Sequence, residues 1–157
     1  MATISDLTRA GVLHPVGGSK GTKKGKTRRF YATDAALDWI VGVSRNSPSS
    51  PEGYDETPKL QLYNLLKAYT SGDPLVFDQE FHPMRPGDKK IWELKTIEMR
   101  IFGFFSDVDE FVAVVIDYKW RIKLYSLSEG YKNEVETFRY HLGVPYVKEN
   151  GVHYVLS

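Results

Sequence analysis

Met99-Arg100-Ile101-Phe102-Gly103-Phe104-Phe105 lies between two similar runs, Ile91-Trp92-Glu93-Leu94-Lys95 and Phe111-Val112-Ala113-Val114-Val115-Ile116-Asp117-Tyr118. All three runs are short and rich in aromatic and β-branched residues. Thr96-Ile97-Glu98 and Ser106-Asp107-Val108-Asp109 separate them. That spacing predicts a three-stranded antiparallel meander. Phe111 to Ile116 is apolar at both parities, so this strand is expected to be central and covered on both faces.

Upstream the period changes to that of helices. Leu37, Ile40 and Val41 fall at i, i+3, i+4 behind Thr33 or Asp34 as N-cap, which predicts an amphipathic helix. Asn46 to Tyr54 is loop. Thr57-Pro58 opens a second helix with proline at its first position, where the missing N–H costs nothing. Leu62, Leu65, Leu66 and Tyr69 mark its buried face, and Ser71-Gly72-Asp73-Pro74 stops it. Ile4 to Val12 suits a short helix and Arg28 to Ala32 a short strand. Downstream, Tyr118 to Tyr125 reads as extended chain, Ser128 to Leu142 as a helix capped by Ser128, and Val152 to Leu156 as a last edge strand. The expected class is α+β: two N-terminal helices, an antiparallel meander of three to four strands, and a C-terminal helix. The chain divides into a basic arm over 1–29 and one domain over 30–157.

The chain has 157 residues, 41% hydrophobic and 26% charged, which is the composition of a globular domain rather than a disordered one. No apolar run approaches the roughly 20 residues that span a bilayer. Met1 to Ala10 lacks the charged-then-apolar order of a secretory signal. With no Cys there are no disulfides, thiolate metal sites or thiol nucleophiles. A cytoplasmic protein that does not enter membranes is the expectation. No phosphate-loop, dinucleotide, metalloprotease or nucleophile-elbow motif occurs. His14, His82, His141 and His153 share no metal-ligand spacing and read as surface or capping residues, so neither metal nor cofactor is expected.

Net charge is only +1, but its distribution is uneven. Lys20, Lys23, Lys24, Lys26, Arg28 and Arg29 place six cations and no acid in ten residues, a local field suited to nucleic acid. A second set lies on or beside the meander. Arg100 shares parity with Phe102 and Phe104 and needs an anionic partner, either an acid across the hairpin such as Glu93 or Glu98, or a phosphate. In extended geometry Lys119, Arg121 and Lys123 line one face beside Tyr118 and Tyr125. Such a row suits a phosphodiester backbone with a base stacked on a ring. It equally suits an edge strand protected by charge.

The order of these elements resembles the RelE/HigB/ParE superfamily of small toxins, in particular its phage-derived HigB-like branch. Lys90-Ile91-Trp92-Glu93-Leu94-Lys95, Met99 to Phe105 and Phe111 to Lys119 carry the likeness, with Leu60 to Leu66 matching an upstream helix. The resemblance spans about Thr33 to Gly143. It implies a metal-free endoribonuclease acting on RNA, often ribosome-bound mRNA, with an antitoxin protein as partner. Cleavage would proceed by attack of a 2′-hydroxyl on the adjacent phosphate, with cations stabilising the transition state. By position, the likeness gives Arg100 as phosphate clamp, Lys95 as the basic residue ending the preceding strand, Lys119 and Arg121 as a basic pair, and Tyr125 as proton-transfer group. Trp120 separates two cations that adjoin in the family, and Tyr125 matches with a one-residue slip. The alternative is a relative without catalysis that binds a protein or nucleic acid as inhibitor or adaptor.

Overall fold

A computed structural model describes residues 2–17, 28–85, 87–149 and 151–157. Among them, six strands form one mixed sheet. They are β1 (Leu13–Val16), β2 (Arg29–Thr33), β3 (Phe81–Pro83), β4 (Trp92–Lys95), β5 (Met99–Asp107) and β6 (Glu110–Tyr118), in the spatial order β1-β2-β6-β5-β4-β3. β4, β5 and β6 make the expected antiparallel meander, and β3 extends it past β4. On the other side β2 pairs parallel with β6, and β1 antiparallel with β2. The class is therefore α+β, with a sheet wider and more mixed than the meander alone.

β6 is central, and Phe111 to Asp117 is buried throughout. Its side chains feed two apolar clusters, alternating except at Val114 and Val115, where the register with β5 shifts. Phe111, Ala113 and Ile116 join one with Met99, Ile101 and Phe105. Val112, Val114 and Val115 join the other with Phe102 and Phe104. Each fully buried Leu, Val or Phe contributes roughly 1.5–3 kcal/mol by leaving water, so both faces of this strand hold the fold together.

The first cluster is closed by α2 (Asp34–Asn46) and α3 (Pro58–Ser71). Thr33 and Thr57 cap them, accepting from the backbone N–H groups of Ala36 and Leu60, and Gly72 ends α3 at φ +77°. α2 buries Ala36, Ile40 and Val43, and α3 buries Leu62, Leu65 and Tyr69. The second cluster is closed by α5 (Ser128–Leu142), through Val135 with Tyr131, Phe138 and Leu142. Ser128 is the first residue of α5 rather than its cap, and no side chain caps this end.

Two segments differ from expectation. Tyr118 to Tyr125 is not extended: Lys119–Leu124 forms a helical turn, α4, that buries Ile122. Val152–Val155 is a single helical turn, α6, rather than an edge strand, and it buries Val155 against the first cluster. At the other end, α1 (Ile4–Arg9), capped by Thr3, leads into β1, whose Leu13 is buried in the second cluster. Leu13–Val16 thus belong to the sheet, and Ile4 and Leu7 of α1 pack against the second cluster. No helix among the described residues is long and apolar enough to cross a membrane.

Candidate functional site at the β4–β5 hairpin

The turn Thr96-Ile97-Glu98 sets the register that pairs Lys95 with Arg100 directly across β4 and β5. Gln61 of α3 fastens this turn from below. Its Nε2 donates to Glu98 Oε1 at 2.7 Å and to the Glu56 carbonyl at 3.0 Å. Its Oε1 accepts from Thr96 Oγ1 at 3.0 Å and from the Glu98 N–H at 3.2 Å. A polar side chain with every group satisfied fixes the hairpin to the helix, so the two cations rise from a rigid base.

Arg100 is held at three points. Its Nη1 donates to the Thr96 and Met99 carbonyls at 2.7 and 2.9 Å, and its Nε lies 3.0 Å from Glu93 Oε1. Only 17% of the side chain is exposed. Burial pushes the guanidinium's pKa down and Glu93 pushes it back up, and the group stays charged. Lys95 donates from Nζ to the Asp78 carbonyl at 2.7 Å. Lys95 and Arg100 together line a cavity of about 690 Å³, with Asn64, Gln79 and Glu80 on its walls. By alternation Arg100 has the parity of Phe102 and Phe104, yet the cavity it lines is also walled by Gln61, Asn64 and Leu65 of α3.

Glu93 is the acid that Arg100 needed, and it holds a second cation. Its Oε2 lies 3.1 Å from His82 Nε2. The hydrogen bond to Glu93 and the Pro83 carbonyl raise the His82 pKa above 6.5, outweighing burial. His82 does not read as a site residue in the sequence, because β3 is a three-residue strand ending in Pro83 and shows no period.

The remaining residues gather elsewhere. Arg121 and Tyr125 come together: the guanidinium carbon lies 5.5 Å from the ring centroid. Arg121 Nε is also 3.2 Å from the buried Asp117 carboxylate, which accepts from Tyr131 Oη at 2.7 Å. Burial, then this bond, pushes Tyr131 up to about 12. Asp117 is the register partner of Arg100, yet the two arginines rest on different acids, Arg100 on Glu93 and Arg121 on Asp117. On a helix, residues two apart point roughly 200° away from each other. Lys119 and Lys123 therefore share one side of α4 and Arg121 takes another. The expected single row of three cations does not form. Tyr118 packs its ring 5.2 Å from that of Trp39, and burial raises its pKa.

Lys20, Lys23, Lys24 and Lys26 lie outside the described residues. Arg29 is exposed on β2. Arg28 faces inward: it is 6% exposed, donates to the Asp73 carbonyl at 2.8 Å, and sits 3.6 Å from Asp109. Its charge is consumed inside the domain, so it does not present a cation to a phosphate in solvent.

No family model, curated protein or solved structure matches this chain.

Proposed function

We propose that the chain is a metal-free endoribonuclease of the RelE/HigB-like kind that cleaves RNA by 2′-hydroxyl attack and is held in check by an antitoxin protein. The observation that carries this reading is the register pair Lys95–Arg100 at a rigid hairpin, both lining one open cavity. Two fixed cations on one register pair, lining one cavity, suit a phosphodiester whose charge grows as the 2′-oxygen adds to phosphorus. The order of elements supports it further: a helical pair α2–α3, the meander β4–β5–β6 with Arg at the start of its second strand, the cationic α4, then α5. In this reading Arg100 and Lys95 bind the scissile phosphate, while Lys119 and Arg121 on α4 and Tyr125 just after it take the flanking strand.

A second reading has its own support. Glu93 already neutralises Arg100, and Asp117 neutralises Arg121, which favours a protein that binds RNA or a protein partner without cutting. Incubating the purified protein with RNA in the presence of a chelator decides between them. Cleavage leaving 2′,3′-cyclic phosphate ends is expected, reduced roughly 100- to 1000-fold by Arg100→Ala. Lys95→Ala tests the same site without stranding a buried carboxylate. Retention of RNA with no new ends in any preparation would replace the nuclease by the binding protein.

A further inference from the structure

Glu93 lines neither of two neighbouring cavities, but each of its carboxylate oxygens meets a residue that lines one of them. On one side Arg100 reaches Oε1 from the cavity it shares with Lys95. On the other, His82 reaches Oε2 from a cavity of about 450 Å³ that it lines with Phe77, Met84 and Arg85. The carboxylate is 9% exposed, so water screens neither contact strongly.

The hydrogen-bond partners of His82 fix its charge. Nδ1 lies 2.8 Å from the Pro83 carbonyl, which can only accept, and Nε2 faces the Glu93 carboxylate. Only the imidazolium supplies a hydrogen to both. The charged groups around it come from several elements. Glu93 of β4 and Asp78 of the preceding loop favour the charged ring. Lys95 of β4, Arg100 of β5 and Arg85 oppose it.

We propose that an anionic phosphodiester in the Lys95–Arg100 cavity and a proton on His82 bind cooperatively, coupled through Glu93. The anion engages the charge of Arg100, which leaves Glu93 less neutralised and holds the imidazolium more firmly. By linkage, a protonated His82 takes up Glu93 and frees Arg100 for the anion by the same factor. His82 thus acts as a positioning residue that makes the site acid-favoured. The anion half rests on the phosphate reading of Lys95 and Arg100, while the His82–Glu93–Arg100 coupling rests on geometry alone.

The test is an NMR titration of the His82 ring in the full chain. It is run for the unchanged protein, for Arg100→Gln and Glu93→Gln, and with saturating oligodeoxythymidylate, whose phosphodiesters keep their charge throughout and which has no 2′-hydroxyl. The midpoint is expected to rise in Arg100→Gln, to fall in Glu93→Gln and to rise with the oligonucleotide. The oligonucleotide should bind roughly fivefold tighter at pH 6 than at pH 8, and His82→Gln should abolish that difference. A midpoint unmoved by Arg100→Gln overturns the coupling, whether or not RNA is cleaved. Should Arg100→Gln not fold, an unmoved midpoint in Glu93→Gln does the same. A midpoint that moves in the variants, with no oligonucleotide bound at any pH, keeps the coupling and removes the phosphate site.

Discussion

Gln61 donates its Nε2 hydrogen to Glu98 Oε1 at 2.7 Å, and the carboxylate it meets is wholly buried. The Glu52 N–H donates to the other oxygen at 3.2 Å. One acid therefore ties α3 and the loop after α2 to the hairpin that carries Lys95 and Arg100. Glu98→Ala removes both bonds and leaves a buried amide hydrogen and a backbone N–H without their acceptor. Hydrogen bonds to a charged group are worth about 1.5–3 kcal/mol each, so a loss of about 3 kcal/mol is expected. Glu98→Gln keeps one acceptor and should lose less. Urea unfolding reads this as a lower midpoint at unchanged slope. A loss below about 0.5 kcal/mol, the range of surface substitutions, would mean that the turn is fastened by something else.

Gly103 is set by contact rather than by backbone freedom. The β5–β6 register shifts between Phe102 and Gly103, and a Cβ at 103 would lie 2.0 Å from the Val112 carbonyl oxygen. That oxygen belongs to the central strand and cannot withdraw. Gly103→Ala should cost about 3 kcal/mol or more, the upper end of overpacking. A thermal scan tests it, and a variant that melts like the parent would disprove the bulge at this position.

His82 also gives the protein a pH-dependent stability. Its folded-state pKa is raised above the ordinary 6.5 by Glu93. The stability it contributes is therefore fully present below about pH 6.5 and lost as pH rises through the folded value. Asp6 and Glu129 are shifted downward and act at acid pH, while Tyr69, Tyr118 and Tyr131 are shifted upward from 10, so the window from 6.5 to 8.5 is clear of them. Unfolding midpoints across that window should fall for the unchanged protein and stay flatter for His82→Gln. Parallel profiles would show that His82 gains nothing from Glu93 on folding.

The parts of the fold legible in the sequence are those whose period exceeds a few residues. α2, α3 and α5 show it, as do β4, β5 and β6. α4 does not: Lys119 to Leu124 alternates charged and apolar residues as an edge strand would, and one buried residue, Ile122, cannot reveal a helical period. β1 and β3 escape because each is short and carries a proline, Pro15 and Pro83, which edge strands tolerate. Within the site, the short turn at Thr96 makes the Lys95–Arg100 pairing readable. His82 on Glu93 and Arg28 on Asp109 depend on contacts between distant parts of the chain, which composition and spacing do not carry.

The basic segment Lys20 to Arg29 calls for a test by neutralisation rather than deletion. Removing residues 1–29 would take away β1, the buried Leu13 and the buried Arg28, and any lost binding would report unfolding. Arg28 is already engaged with Asp109 and the Asp73 carbonyl, so it adds nothing to an external field. Lys20, Lys23, Lys24, Lys26 and the exposed Arg29 remain, and the four lysines can be replaced by Gln together. Each cation that meets a single-stranded phosphate releases a condensed counterion and adds about 0.7 to the slope of log affinity against log salt. If all four engage, the replaced protein should show a slope smaller by about 3 on a labelled single strand, with Arg100 still required for tight binding. Parallel salt lines for the two proteins would mean that these lysines meet no phosphate, and nucleic-acid affinity would then rest on the hairpin, α4 and Arg29.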